Sequence, residues 1–190
     1  MAYREPTGYA LQQGDVLANV RAYSMEALGD DGIPLGVLRE FTHSVIVTQE
    51  CDLEQDYAAR FPEWGRPVSP DKLLFGVILC GAYDEDELKS GQHRQQAKKF
   101  GKREWKPVKQ NQDPRYQYLG YVPVANHILV VDFKDFFMVP CEFLYNELAS
   151  GKVVRVSEMD IPYKQHLLQR FAWYLMRVGL PVDFENLKRD

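Results

Sequence analysis

The stretch His43-Ser44-Val45-Ile46-Val47-Thr48-Gln49-Glu50-Cys51-Asp52-Leu53 constrains the fold more than any other, because a β-branched apolar run breaks directly into a dense polar cluster. Ser44 to Thr48 is too short for a buried helix and suits a strand covered on both faces. Leu73-Leu74-Phe75-Gly76-Val77-Ile78-Leu79-Cys80 has the same character, so two central strands are predicted. Where the first of them ends, a thiol, two carboxylates and an amide stand together, and strand exits of this kind are common places for chemistry or specific binding.

The rest of the chain fits around these two strands. Gly14-Asp15 is a turn signal feeding a strand over Val16 to Tyr23, and Gly29 to Pro34 reads as a loop, giving a hairpin-like start. Tyr116 to Val122, Ile128 to Phe133 and Phe136 to Val139 are further strands. The last two are separated only by Lys134-Asp135, which fits a tight hairpin. A short helix is expected over residues 49 to 60, followed by a loop from Phe61 to Pro67. From Asp160 the period lengthens to three or four residues through Tyr163, Leu167, Phe171, Tyr174 and Val178, the mark of an amphipathic helix. Ser157-Glu158-Met159-Asp160 offers a capping box for it, Pro162 suits its first turn, and Gly179 with Pro181 ends it. The predicted fold is α+β: a small bent antiparallel β-barrel or sheet, a C-terminal packing helix over 160–179, and a charged insertion over about 84–114. All of it lies in a single domain, 1–190.

Composition bounds the function. A formal net charge of −4 argues against a protein that coats nucleic acid with its whole-body field, so basic character must be sought locally. It is found in the insertion, which opens with Asp84-Glu85-Asp86-Glu87 and turns basic through Lys98, Lys99, Lys102, Arg103, Lys106 and Lys109. Phe100 and Trp105 are interleaved there, and cations alternating with aromatics can hold single-stranded RNA or DNA by phosphate pairing and base stacking. A solvated charged face is the plainer reading of the same run. The cysteines Cys51, Cys80 and Cys141 form no Cys-x-x-Cys pair and are odd in number, which fits reduced thiols in a cytoplasm. Met1 to Pro6 has no signal-peptide core and no apolar run approaches the ~20 residues of a membrane span, so no membrane association is expected. The four histidines show no metal-ligand spacing, and neither metal nor cofactor is expected.

Catalysis at the strand exit would draw on His43, Glu50, Cys51, Asp52 and Arg115, with Gln49 and Tyr116 as polar lining. Cys51 has neighbours of the wrong sign, since Glu50 and Asp52 disfavour a thiolate, so a nucleophilic role needs a histidine from elsewhere. It can equally be a small buried hydrophobe with Asp52 capping the next helix. Arg115 can clamp a phosphate bidentately or pair with an acid such as Asp132. His166 and Arg170 share a face of the last helix and suit structural ion pairs.

Two sets of residues carry a resemblance. Thr48-Gln49-Glu50-Cys51-Asp52-Leu53, with Pro114 to Leu119, Val131-Asp132-Phe133 and Arg170 to Tyr174, resembles uncharacterised bacterial proteins bearing Cys-Asp-Leu or Cys-Asp-Ile after an apolar strand. Gly14-Asp15-Val16-Leu17 and Val45-Ile46-Val47-Thr48 are similar to MazF/PemK-type endoribonuclease toxins, whose SH3-like barrels open on Gly-Asp. His43-Ser44 stands where those toxins carry arginine and proline. The resemblance implies a MazF-like barrel more than ribonuclease activity. Three functions follow as expectations: a bacterial nucleic-acid-directed protein, toxin-like or associated with phage defence, that binds or cleaves RNA or DNA; a non-catalytic module that docks a protein partner; and a cysteine-dependent enzyme using Cys51. Whether the chain is an enzyme is left open by its residues.

Overall fold

The computed structural model describes residues 2–28, 34–62, 69–93 and 98–176. In chain order it contains β1 (Tyr3–Arg4), β2 (Val16–Leu28), β3 (Pro34–Ile46), α1 (Glu50–Arg60), β4 (Gly76–Asp84), α2 (Glu85–Ser90), α3 (Lys102–Lys109), β5 (Tyr116–Val122), β6 (His127–Pro140), α4 (Cys141–Ala149), β7 (Val154–Met159) and α5 (Tyr163–Leu175). The strands form one antiparallel sheet ordered β1-β7-β2-β3-β4-β6-β5, so the fold is α+β with β3 at its centre. Val45 and Ile46, from the β-branched run before Gln49, are fully buried there.

The sheet is open, with β1 and β5 as its two edges, yet it wraps around one apolar interior. Tyr3, Val16, Val45, Ala82, Val122, Leu129, Phe133 and Met159 meet in a single cluster to which every strand contributes. The edges approach closely enough for the Tyr3 hydroxyl of β1 to donate to the Leu119 carbonyl of β5 at 2.9 Å. Leu167 and Phe171 of α5 join the same cluster, which is how the C-terminal helix packs on the β core. The outer face carries a second core, where Leu17, Ile46 and Leu79 meet Leu53 of α1 and Leu144 of α4. A third layer is built by Leu88 of α2 and Trp105 and Val108 of α3 over Tyr116 and Val130. Burial of these side chains is the dominant stabilising term, at about 1.5–3 kcal/mol for each large apolar residue.

Gly14 shows why the chain needs its Gly-Asp turn. Its φ is +83°, and an added Cβ would stand 2.9 Å from the Met159 Cβ, so any side chain would drive apart β7 and the start of β2. Asp15 is buried beyond it, accepting the Gln12 amide at 2.8 Å and a guanidinium hydrogen bond from Arg155 at 3.1 Å.

Two segments fold differently from what their sequence pattern predicts. Lys134-Asp135 is not a hairpin: β6 runs unbroken from His127 to Pro140, with a register shift against β4 between Cys80 and Ala82. Two buried aspartates sit at this irregularity. Asp132 is held by Arg115, and Asp135 by both Arg39, at 3.0 Å, and the Tyr83 hydroxyl. A charge satisfied internally can sit in a bend of a continuous strand, whereas the sequence shows only its polarity. Ser157 to Asp160 likewise does not cap a helix. Ser157 to Met159 belongs to β7, and Glu158, fully buried, accepts from Arg4, Thr7 and Arg155. Helix α5 begins later, after Pro162, and spans Tyr163–Leu175. Of the loops expected at Gly29 to Pro34 and Phe61 to Pro67, Pro34 opens β3 and Phe61 is the C-cap of α1, and residues 29–33 and 63–67, with Arg177, Val178, Gly179 and Pro181, lie outside the described residues.

Candidate functional site

The residues predicted for the strand exit separate into different places. Gln49 is the N-cap of α1, and Glu50 and Cys51 fill its first turn; all three line an open cleft of 1010 Å³ with Gln13, Lys164 and Leu168. Glu50 is committed to holding that cleft together, since it accepts from the Lys164 ammonium at 2.6 Å and the Gln13 amide at 2.8 Å. Cys51 is exposed, whereas Cys80 and Cys141 are buried, so Cys51 is the thiol that solvent reaches. Asp52 is exposed in the same helical turn, 3.7 Å from the Cys51 sulfur, and does not cap the helix. Cys141 donates to Asp56 at 3.1 Å, and burial together with that carboxylate pushes its thiol up to about 12.

Arg115 lies apart from this cleft, at the foot of β5. Its Nε and Nη2 donate to the two oxygens of Asp132 at 2.7 and 2.6 Å, and its guanidinium stands 4.9 Å from the centre of the Tyr116 ring. Its bidentate capacity is therefore used within the chain. Tyr116 is itself buried in the third core layer. Arg170 of α5 donates to the main-chain carbonyls of Asn111, Asp113 and Tyr116, tying that helix to the entry of β5.

The basic insertion divides into two faces. Trp105 and Val108 of α3 point inward, and the Trp105 indole N–H donates to Glu85 at 2.9 Å. Trp105 thus packs the layer, and its ring is not presented to solvent. Lys98, Lys99, Lys102, Arg103, Lys106 and Lys109 are exposed. Lys98 pairs with Glu104 at 2.7 Å and Lys109 with Glu85 at 3.0 Å. Lys102, Lys106 and Lys109 recur at helical spacing along one flank of the buried face, and Arg103 is turned furthest from it, so the exposed surface of α3 is mainly cationic.

A further constellation joins residues far apart in the sequence. His43 of β3, Asp84 of β4 and His127 of β6 each stand on the inward-facing set of positions of a neighbouring strand. They follow Val45 and Val47, then Cys80 and Ala82, then Leu129, Val131 and Phe133, which all face the inner core. Alternation with period two carries each strand from the apolar interior to a polar residue at the same end, so the three side chains converge at its mouth. The His127 Nδ1 lies 3.0 Å from Asp84 Oδ2, and the His43 and His127 rings are 5.9 Å apart between centroids. Burial and the facing His127 push the His43 ring below the usual imidazole range, against the pull of Asp84. With Glu40, Glu87 and His93, these groups line a pocket of 260 Å³. Three of the chain's four histidines therefore share one polar cavity. The signal was present in the sequence, but it becomes visible only once β3, β4 and β6 are known to be adjacent.

Asp84 also joins this pocket to the basic helix. It caps α2 by accepting the Asp86 amide at 2.8 Å, while the next residue, Glu85, binds Trp105, Lys109 and Tyr118. Burial alone would raise the Glu85 carboxyl, but these three donors outweigh it and hold the carboxyl below the ordinary carboxylate range. A separate apolar pocket of 660 Å³ lies among Tyr57, Phe61, Tyr145 and Val153. Among the described residues no group of three or more His, Cys, Asp or Glu side chains is arranged to hold a metal ion, and no helix is long and apolar enough to cross a membrane. No protein-family model, curated protein or solved structure matches the chain.

Proposed function

We propose that this is a nucleic-acid-directed protein that binds single-stranded RNA or DNA along the outer face of α3. The observation that carries this reading is the pair Asp84-Glu85, which fixes a histidine pocket on one side and an exposed cationic helix on the other. Lys102, Arg103 and Lys106 are exposed, and together they offer a phosphate-binding track on a chain whose overall charge is negative. Affinity supplied this way falls steeply with salt, because each phosphate contact releases a counterion. In a fluorescence-anisotropy titration at low salt, wild-type protein binds a labelled single-stranded oligonucleotide. The triple variant Lys102→Glu, Arg103→Glu, Lys106→Glu binds at least about tenfold more weakly and with a flatter salt dependence. Equal binding by the two proteins, or none by either, sinks the reading.

Within it, His43 is the base best placed for RNA cleavage. Glu50 is ion-paired with Lys164 and Arg115 with Asp132, whereas His43 faces a second imidazole across a cavity. Loss of RNA cleavage in His43→Gln far beyond any loss of binding is the expected signature. The MazF-like, toxin or phage-defence reading draws on the Gly14-Asp15 turn and on the contact between Tyr3 and Leu119 across the two sheet edges. Growth arrest on expression, relieved by His43→Gln, tests it.

A further inference from the structure

The histidine pocket has a chemistry of its own, distinct from that of α3. Its volume, 260 Å³, falls below the about 300–1,000 Å³ of pockets that take drug-sized ligands, and suits one flat ring system. Its walls include the imidazoles of His43 and His127, and its rim carries the exposed carboxylates Glu40 and Glu87. Asp84 is occupied by His127 and by the Asp86 amide, whereas Glu40 and Glu87 hold no side-chain hydrogen bond or ion pair among the described residues. Glu40 stands opposite Arg21 across β2 and β3 and within reach of its charge, yet a carboxylate can only accept, so a rim of carboxylates welcomes a hydrogen-bond donor more than a phosphate.

Flat rings and acceptor carboxylates are what an unstacked nucleobase with an exocyclic amine requires. Bases splayed from a single strand stack on aromatic or histidine side chains, and Glu or Asp accepts from the amine of cytosine. Resting on the nucleic-acid reading above, we infer that this pocket seats one amine-bearing base of a bound strand, while the cationic face of α3 holds the flanking phosphates. Uracil presents a carbonyl where cytosine presents an amine, so it meets the carboxylates acceptor to acceptor and is disfavoured. Cytosine, adenine and guanine each carry an exocyclic amine, whereas the one edge donor of uracil, N3–H, lies between two carbonyl acceptors.

The test compares oligocytidine with oligouridine of equal length and adds free nucleosides. Wild-type protein is expected to bind oligocytidine about tenfold more tightly than oligouridine. The double variant Glu40→Ala, Glu87→Ala, changed only at exposed positions, is expected to lose that preference and keep its affinity for oligouridine. Millimolar cytidine should shift the ring-proton NMR resonances of His43 and His127, and uridine should not. If the oligonucleotides bind equally well and cytidine leaves those resonances unmoved, the pocket assignment is overturned while the phosphate track stands. If the preference survives in the double variant, the assigned carboxylates are wrong. If no oligonucleotide binds but cytidine still shifts the resonances, the pocket stands and the α3 track falls.

Discussion

Arg115 and Asp132 carry one of the clearest consequences at the scale of single residues. Asp132 is fully buried and takes both of its strong hydrogen bonds from one guanidinium, so Arg115→Ala strands a charge in the core. Removing one partner of such a pair costs about 3–5 kcal/mol, and urea denaturation of the variant should show a loss of that order. A loss below about 1 kcal/mol would mean that the pair is solvated and Arg115 is free for ligand. His43 makes a pH prediction. Its ring titrates below the ordinary value of 6.5 in the folded protein, so the native state holds fewer protons than the unfolded chain in that window. Stability is therefore full above 6.5 and is lost as the pH falls through the folded value. His43→Asn should flatten this slope in denaturation midpoints measured across the window, and an unchanged slope would point to another group. Both residues were named from sequence, Arg115 with Asp132 as its alternative partner. Their partners decided their roles, because a bidentate arginine serves a phosphate or a carboxylate equally well until geometry supplies one of them.

At the scale of elements, α3 is where composition and structure diverge most usefully. Its cations and its tryptophan looked like one binding surface, but the helix buries Trp105 on Glu85 and leaves the cations exposed beside it. Trp105→Ala should therefore act on stability, costing about 3–5 kcal/mol in thermal or urea unfolding, whereas charge reversal at Lys102, Arg103 and Lys106 should leave the melting temperature nearly unchanged. A tryptophan variant of wild-type stability would place the ring outside the core. The outline of α1, α5 and β5 could be read from period and punctuation. The hairpin in β6 and the capping box in β7 misled for one reason: acidic residues that would mark a turn or a cap at the surface are here neutralised by Arg115, Arg39, Arg4 and Arg155 from distant parts of the chain.

For the whole molecule, the decisive feature is how far the open sheet curls. Tyr3 and Leu119 sit on opposite edges of the sheet, 116 residues apart in sequence, and one hydroxyl-to-carbonyl bond spans the gap. Tyr3→Phe keeps the ring in the inner core and removes only that bond, so it should cost about 1 kcal/mol and speed amide exchange in β1 and β5. No change in exchange at either edge would show that apolar packing alone holds the curl. Period-two alternation, β-branched runs and a late helical period determined from sequence alone that the chain builds an antiparallel sheet with a helix packed on it. Those are local properties, set by which side chains each few residues can bury. The meeting of His43, Asp84 and His127 was decided only by tertiary structure, because it depends on β3, β4 and β6 lying side by side in an order that no local pattern encodes.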